Sequence, residues 1–175
     1  MNLSNPTDMA ARPFTPREFR DAMGQFATGV VTVTTEVDGM PHAMTANAFM
    51  SGSLEPPLVL VSIARGAKMH ERIGASQRFG VSVLADHQQW CSNHFAGKPS
   101  PDRQPEFARL ADVPVIAGAN VQIATDLRHA YECGDHTLFV GEVRALATAR
   151  QAAAPLLFHG GGYAVLACPP MATTR

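Results

Sequence analysis

Apolar and polar positions alternate along this chain in short blocks, and most blocks follow the two-residue period of a strand. The first block does not. In "TPREFRDAMGQFATG", Thr15 can cap, Pro16 takes the first helical position and Glu18 completes a capping box. Phe19, Met23 and Phe26 then form one apolar stripe, and Gly29 is expected to end the helix. "VVTVTT" is β-branched and alternating, so a strand follows. Asp38-Gly39 signals a hairpin, with a return strand over His42 to Phe49.

Pro56-Pro57 is expected to end the pairing, because proline cannot donate to a ladder. "LVLVSIA" then predicts a strand buried on both faces. "AKMHERIGAS" predicts a short helix with Met69 and Ile73 inward, and "FGVSVLA" another strand. "DHQQWCSNHFAG" predicts a helix capped by Asp86, with Gln89 at the capping-box position and Gly97 as its stop. Lys98 to Gly118 is long and Pro-rich, and is expected to be a surface excursion with one helical turn at Glu106 to Leu110. "NVQIATDLRHAYECGDHTLFVGEVRALATA" predicts two long strands joined at Gly134-Asp135. "PLLFHGGGYAVL" is apolar with a glycine break that fits a tight turn.

Hairpin-joined strands with about three short helices predict a mostly β fold: a Greek-key-like antiparallel β-barrel with the helices packed outside. The regular βαβ alternation of a doubly wound sheet is absent. No internal repeat or second domain shows. A flexible N-terminal tail over 1–13, one domain over 14–168 and a C-terminal tail over 169–175 are expected.

Composition narrows the class. The chain has 175 residues, 46% hydrophobic and 17% charged, enough for one domain with a real core. Fourteen Lys+Arg against 15 Asp+Glu give a net charge of -1 without a basic patch, so nucleic acid is not an expected partner. No apolar run approaches the roughly 20 residues of a membrane helix, and "MNLSNPTDMAARPF" lacks the form of a secretory signal. A cytoplasmic, soluble protein is expected. Cys91, Cys133 and Cys168, odd in number and widely spaced, do not suggest a disulfide framework.

Side-chain chemistry of the usual kinds is scarce. There is no G-x-G-x-x-G after a strand, no phosphate-binding loop of the G-x-x-x-x-G-K-[ST] type and no G-x-S-x-G elbow. Cys91 and His94 share a helix face, but two ligands are too few for a metal, and none is expected. A bound cofactor then becomes a candidate carrier of the chemistry. Thr45, Ala46, Asn47 and Ala48 are small, which lets backbone approach a flat ligand. Arg65 and Lys68 stand where a helix begins, either as a phosphate site or as solvated surface.

Five segments, "FRDAMGQFATGVVTVTT", "MTANAFMSGSLEPPLVLVSI", "FGVSVLADHQQWCSNHFAG", "GDHTLFVGEV" and "PLLFHGGGY", in this order and spacing, resemble the flavin reductase family. The resemblance runs from about Phe14 to Leu166. It implies an FMN-binding split barrel, usually a homodimer, serving as the NADH- or NADPH-dependent reductase component of two-component flavin monooxygenases. It implies FMN or FAD as cofactor, with Thr45 to Ala48 along the isoalloxazine and ribityl chain. Ser62, Ile63 and Ala64 would border it from the next strand. Lys68 would lie near the phosphate, and Phe95 and Ala96 would close the site. Asp135 and His136 would sit on the nicotinamide side, His136 positioning that ring, with Tyr163 a further candidate.

Two departures stand out. Ala67 replaces a frequent serine before Lys68, removing one phosphate hydrogen bond. Gly52 replaces a frequent valine, which is expected to leave room near the ring. "G-D-H" also fits a plain hairpin turn, which accounts for Gly134 and Asp135 but does not require His136. The expected activity is hydride transfer from nicotinamide to flavin, followed by release of reduced flavin to a separate oxygenase. Two alternatives stay open: a flavin-binding carrier or sensor with little turnover, and a split-barrel oxidase of the pyridoxamine-phosphate oxidase type.

Overall fold

Helix α1 (Pro16–Met23) starts as its capping box requires, in a computed structural model that describes residues 12–166. Thr15 Oγ1 accepts the Glu18 N–H at 3.2 Å and Glu18 Oε2 accepts the Thr15 N–H at 2.8 Å. The helix ends sooner than expected. Gly24, not Gly29, caps it, its N–H bonding the Arg20 carbonyl at 2.9 Å. The apolar stripe also stays outside: Phe19, Met23 and Phe26 are 52%, 55% and 76% exposed. Of the expected tails, only Arg12 and Pro13 fall within the described residues; 169–175 lies wholly outside them.

Strands β1 (Thr28–Gly29), β2 (Val31–Val37) and β3 (Met40–Ala46) follow. Asp38 and Gly39, at φ of +53° and +73°, make the tight turn between β2 and β3, where both central residues must be left-handed. β3 stops at Ala46 rather than Phe49, because the chain swings away at Asn47 and Ala48 to begin β4 (Phe49–Leu54). The prolines do not end pairing. They form the turn into β5 (Pro57–Ala64), where Leu54 pairs with Pro57. Pro57 sits at the first strand position, where a missing N–H is tolerated. β5 is not buried on both faces either. Val59, Val61 and Ile63 are buried, while Leu58, Leu60 and Ser62 are half-buried, as suits an antiparallel sheet with one face on the core.

α2 (Lys68–Ser76) turns Met69 and Ile73 into the core as expected, and β6 (Arg78–Val83) follows. A single 3-10 turn at Asp86–Gln88 leads into α3 (Gln89–Phe95). The expected cap is shifted by one residue. Gln88 Oε1 accepts the Ala85 N–H at 3.1 Å, and Asp86 Oδ1 accepts the His87 N–H at 2.6 Å. Gly97, at φ +83°, ends the segment.

The expected helical turn at Glu106 to Leu110 is instead a strand. β7 (Phe107–Leu110) and β8 (Val113–Ile116) form a hairpin over Ala111 and Asp112, both at positive φ. All four β8 residues are buried, and the Ile116 N–H bonds Ser82 Oγ at 2.9 Å. The long β9 (Val121–Cys133) and β10 (His136–Thr148) meet at Gly134 and Asp135, and β11 (Leu157–His159) and β12 (Gly162–Ala164) meet at Gly160 and Gly161, both as expected.

The main sheet has seven antiparallel strands in the order β3-β2-β6-β9-β10-β5-β4, so the fold is mostly β as expected. Its core face carries Val33, Val61, Phe79, Val81 and Phe139, with Met69 and Ile73 of α2 packed in. A second core gathers Val30, Leu84, Cys91, Ile116 and Leu156 beneath α3 and the β1-β11-β12 sheet. The ladder has two ends, β3 and β4, yet these are neighbours in sequence, joined only by Asn47 and Ala48. Both edges therefore meet at one corner, where their outer N–H and C=O groups lack strand partners. No helix among the described residues is long and apolar enough to cross a membrane.

Candidate active site

The corner between β3 and β4 opens onto a cavity of about 180 Å³. Thr45, Ala46 and Asn47 form one wall, and Ser92, Ala96, Phe158 and Tyr163 the other. Thr45 Oγ1 donates to the Ser92 carbonyl at 2.7 Å, tying β3 to α3. Tyr163 OH lies 2.8 Å from Ser92 Oγ, and its ring meets Phe158 edge-on at 5.6 Å between centroids. Three elements far apart in sequence are thus held to one wall by a chain of hydroxyl contacts.

A second group of expected residues is tied to this corner along β5. The Ser62 N–H donates to the Ala48 carbonyl at 3.0 Å, which brings β5 against the Asn47-Ala48 link. Two residues on, Ala64 pairs with His136 at the start of β10. The Arg65 N–H donates to the Asp135 carbonyl at 2.9 Å, fixing the β9–β10 turn against the end of β5. His136 Nδ1 lies 2.8 Å from Asp135 Oδ1, and this hydrogen bond, with the nearby imidazole charge, holds the Asp135 carboxyl below the usual aspartate range. Lys68 opens α2 and is exposed. Ala67 stands at the cap with no side-chain bond, as its replacement of a serine implied, so the first N–H groups of α2 lack a capping partner.

Three expected positions stand differently. Ile63 is 1% exposed and its side chain belongs to the core, so only its backbone is available to a ligand. Phe95 packs against the second core and meets Phe107 at 6.0 Å rather than lining the cavity. The room expected at Gly52 is taken by Leu60, whose Cδ1 fills the place of a Cβ. Val30, Ser92 and Phe158, which do line the cavity, were not marked by the sequence. Among the described residues no cluster of His, Cys, Asp or Glu could hold a metal. Cys91 is buried, which pushes its thiol up to about 11, and Cys133 is exposed; both are free. Cys168 lies outside the described residues.

Residues 23–167 match the family described as flavin reductase like domain. The chain belongs to this family. Individual flavin reductases are similar to it as well. An NADH-dependent flavin reductase of Rhodococcus sp is 43% identical over 152 residues, spanning 85% of each chain. The structure of flavin reductase PheA2 in its native state superposes with a TM-score of 0.84 at 46% identity, covering 89% of this chain and 100% of that one. The styrene monooxygenase flavin reductase of Pseudomonas putida S12 superposes with a TM-score of 0.79 at 36% identity, covering 86% and 98%.

The site suits a flavin on its own geometry. A planar ring needs a wall of short side chains, and the exposed Asn47-Ala48 link between two sheet edges supplies one. A phosphate needs positive charge and free N–H groups, and Lys68 at the uncapped start of α2 offers both.

Proposed function

We propose that this chain is an NADH:flavin oxidoreductase that reduces FMN or FAD and releases it to a separate oxygenase. One observation carries the reading: the corner where the edge strands β3 and β4 meet is lined by small residues, and the Asp135-His136 turn is tied to it through β5. A flavin bound there supplies the hydride acceptor, and a nicotinamide the donor. The protein's part is to bind and orient. Thr45 to Ala48, with the end of β5 at Ser62 to Ala64 beside them, form the shelf for the ring. Lys68 and the start of α2 neutralise the phosphate. Asp135 holds the imidazole of His136 in one orientation, so that His136 positions the nicotinamide. Tyr163, through Ser92, keeps α3 and β12 closed over the cavity and excludes water from one side.

Use of NADPH beside NADH, a homodimer and a cytoplasmic location belong to this same proposal. The exposed apolar side chains of Phe19, Phe26, Met50 and Leu54 support a second copy packed against α1 or the β4 edge. The test is spectroscopic. Purified protein should quench the fluorescence of FMN or FAD, and the flavin absorption band should bleach on adding NADH without oxygen. No quenching with either flavin, together with no NADH oxidation, would remove the reading.

A further inference from the structure

Helix α2 is bonded to the sheet by a side chain at each end. In its last turn Ser76 Oγ lies 2.7 Å from Thr35 Oγ1 on β2. In its first turn His70 Nε2 lies 2.8 Å from Thr137 Oγ1 on β10. Thr137 is 4% exposed, and its hydroxyl has no other partner among the described residues. A buried hydroxyl left alone is costly, so the pair is held together. The half-buried imidazole also meets the Phe139 ring edge-on at 5.1 Å between centroids. Thr137 and Phe139 lie two apart on one face of β10, and between them they fix the orientation of His70.

Packing alone leaves the rotation of this helix open. Met69 and Ile73 press it onto the core, but apolar contact is non-directional. A second cavity, of about 340 Å³, separates α2 from the end of β9, beside Gly74, Leu127, Ala130 and Glu132. The helix therefore has space on that flank to turn into. A hydrogen bond is directional and can hold it. The two ends of this bond also stand next to two parts of the site. His70 is two residues past Lys68, in a first turn that has no side-chain cap. Thr137 follows His136, whose side chain points to the other face of the strand.

We propose that His70 is a positioning residue for the flavin phosphate. Its hydrogen bond to Thr137 holds the first turn of α2, and with it Lys68, in the rotation that meets the phosphate. The inference rests on the reductase reading, which puts the phosphate at that turn. Riboflavin, which is FMN without its phosphate, separates this role from general support of the fold. Dissociation constants of FMN and riboflavin are measured by fluorescence quenching on wild type, His70→Leu, His70→Gln and Thr137→Val. Wild type is expected to bind FMN more tightly than riboflavin. Binding of neither flavin removes the reductase reading itself; equal binding of both removes only the role of His70.

His70→Leu keeps an apolar contact for Phe139 and loses the bond. It should weaken FMN about tenfold and leave riboflavin within about twofold of wild type. His70→Gln, whose Nε2 reaches about as far as that of the imidazole, should recover most of the affinity for FMN. Thr137→Val keeps the shape of the side chain without its hydroxyl and should repeat the loss. It also carries the comparison if circular dichroism shows that His70→Leu does not fold. Equal losses for the two flavins, or no loss for FMN, would overturn the proposal. So would a glutamine variant that binds FMN no better than the leucine one.

Discussion

Two parts of this molecule are built from small residues for opposite reasons. In the centre of the main sheet, Gly80 and Gly141 are small because the wall is full. A Cβ on Gly80 would lie 2.5 Å from Thr34 Oγ1, and one on Gly141 would lie 2.6 Å from Phe79 Cζ. At the corner between β3 and β4, Asn47 and Ala48 are short and exposed, and belong to no strand. Side-chain size alone therefore does not mark a site. What distinguishes the corner is that its backbone groups sit at sheet edges, whereas those of Gly80 and Gly141 are taken up in ladders on both sides.

The largest expected effect tests the full wall. Gly141→Val forces two methyls and a methine against Phe79 and Thr125, at a bulge where β10 already shifts register. Overpacking of this kind costs about 3 kcal/mol, which lowers Tm by about 6–12 °C in a domain of this size. Flavin affinity of the folded fraction should stay as in wild type. A stable variant would mean that the centre of the sheet is looser than its packing implies.

The converse substitution is Ala48→Val. At an exposed link it should leave stability within about 0.5 kcal/mol of wild type. It should weaken flavin binding about tenfold, equivalent to about 1.4 kcal/mol, by setting a branched side chain on the shelf. If Ala48→Val instead melts the protein and spares flavin binding, the two regions are alike and the contrast fails.

The same contrast explains what the sequence showed and what it hid. β2 and the long β9–β10 hairpin were legible because β-branched alternation and the Asp38-Gly39 and Gly134-Asp135 turns are local signals. β7 was not. Glu106, Ala108, Arg109 and Leu110 are good helix formers, and the strand exists because β8 pairs with it over a turn at Ala111 and Asp112. Burial of β5 on two faces was over-read, since an apolar run does not say whether a second layer will cover it. In the site, Thr45 to Ala48 stood out because four short side chains before a buried strand are unusual. Ser92 did not, because its partners there, Thr45 and Tyr163, lie 47 and 71 residues away.

His136→Ala sharpens the comparison inside the site itself, separating the shelf from the turn beside it. His136 begins β10 opposite Ala64, at the end of the corner away from the first cavity's lining. Its removal should raise the KM for NADH about fivefold, or about 1 kcal/mol, with flavin affinity unchanged. Steady-state kinetics at saturating flavin, paired with fluorescence titration, measure both. Equal losses in the two would place His136 against the flavin, and no change in KM would take it out of the site.

The smallest effect is electrostatic. The hydrogen bond from His136, and then its charge, lower the pKa of Asp135 in the folded protein. A lowered acid pKa means that the ionised form favours folding. The contribution is fully present above the unfolded value of about 3.9 and is lost as pH falls through the folded value. Asp135→Asn should therefore be slightly less stable than wild type above about pH 4, and the gap should close in more acidic solution. Asp135 is fully exposed, so about 0.5 M salt should shrink the gap as well. Thermal melts of both proteins across acidic pH, at low and high salt, decide it. A gap that persists in strong acid would show that the side chain acts by shaping the turn, and that the orientation of His136 owes nothing to the carboxylate charge.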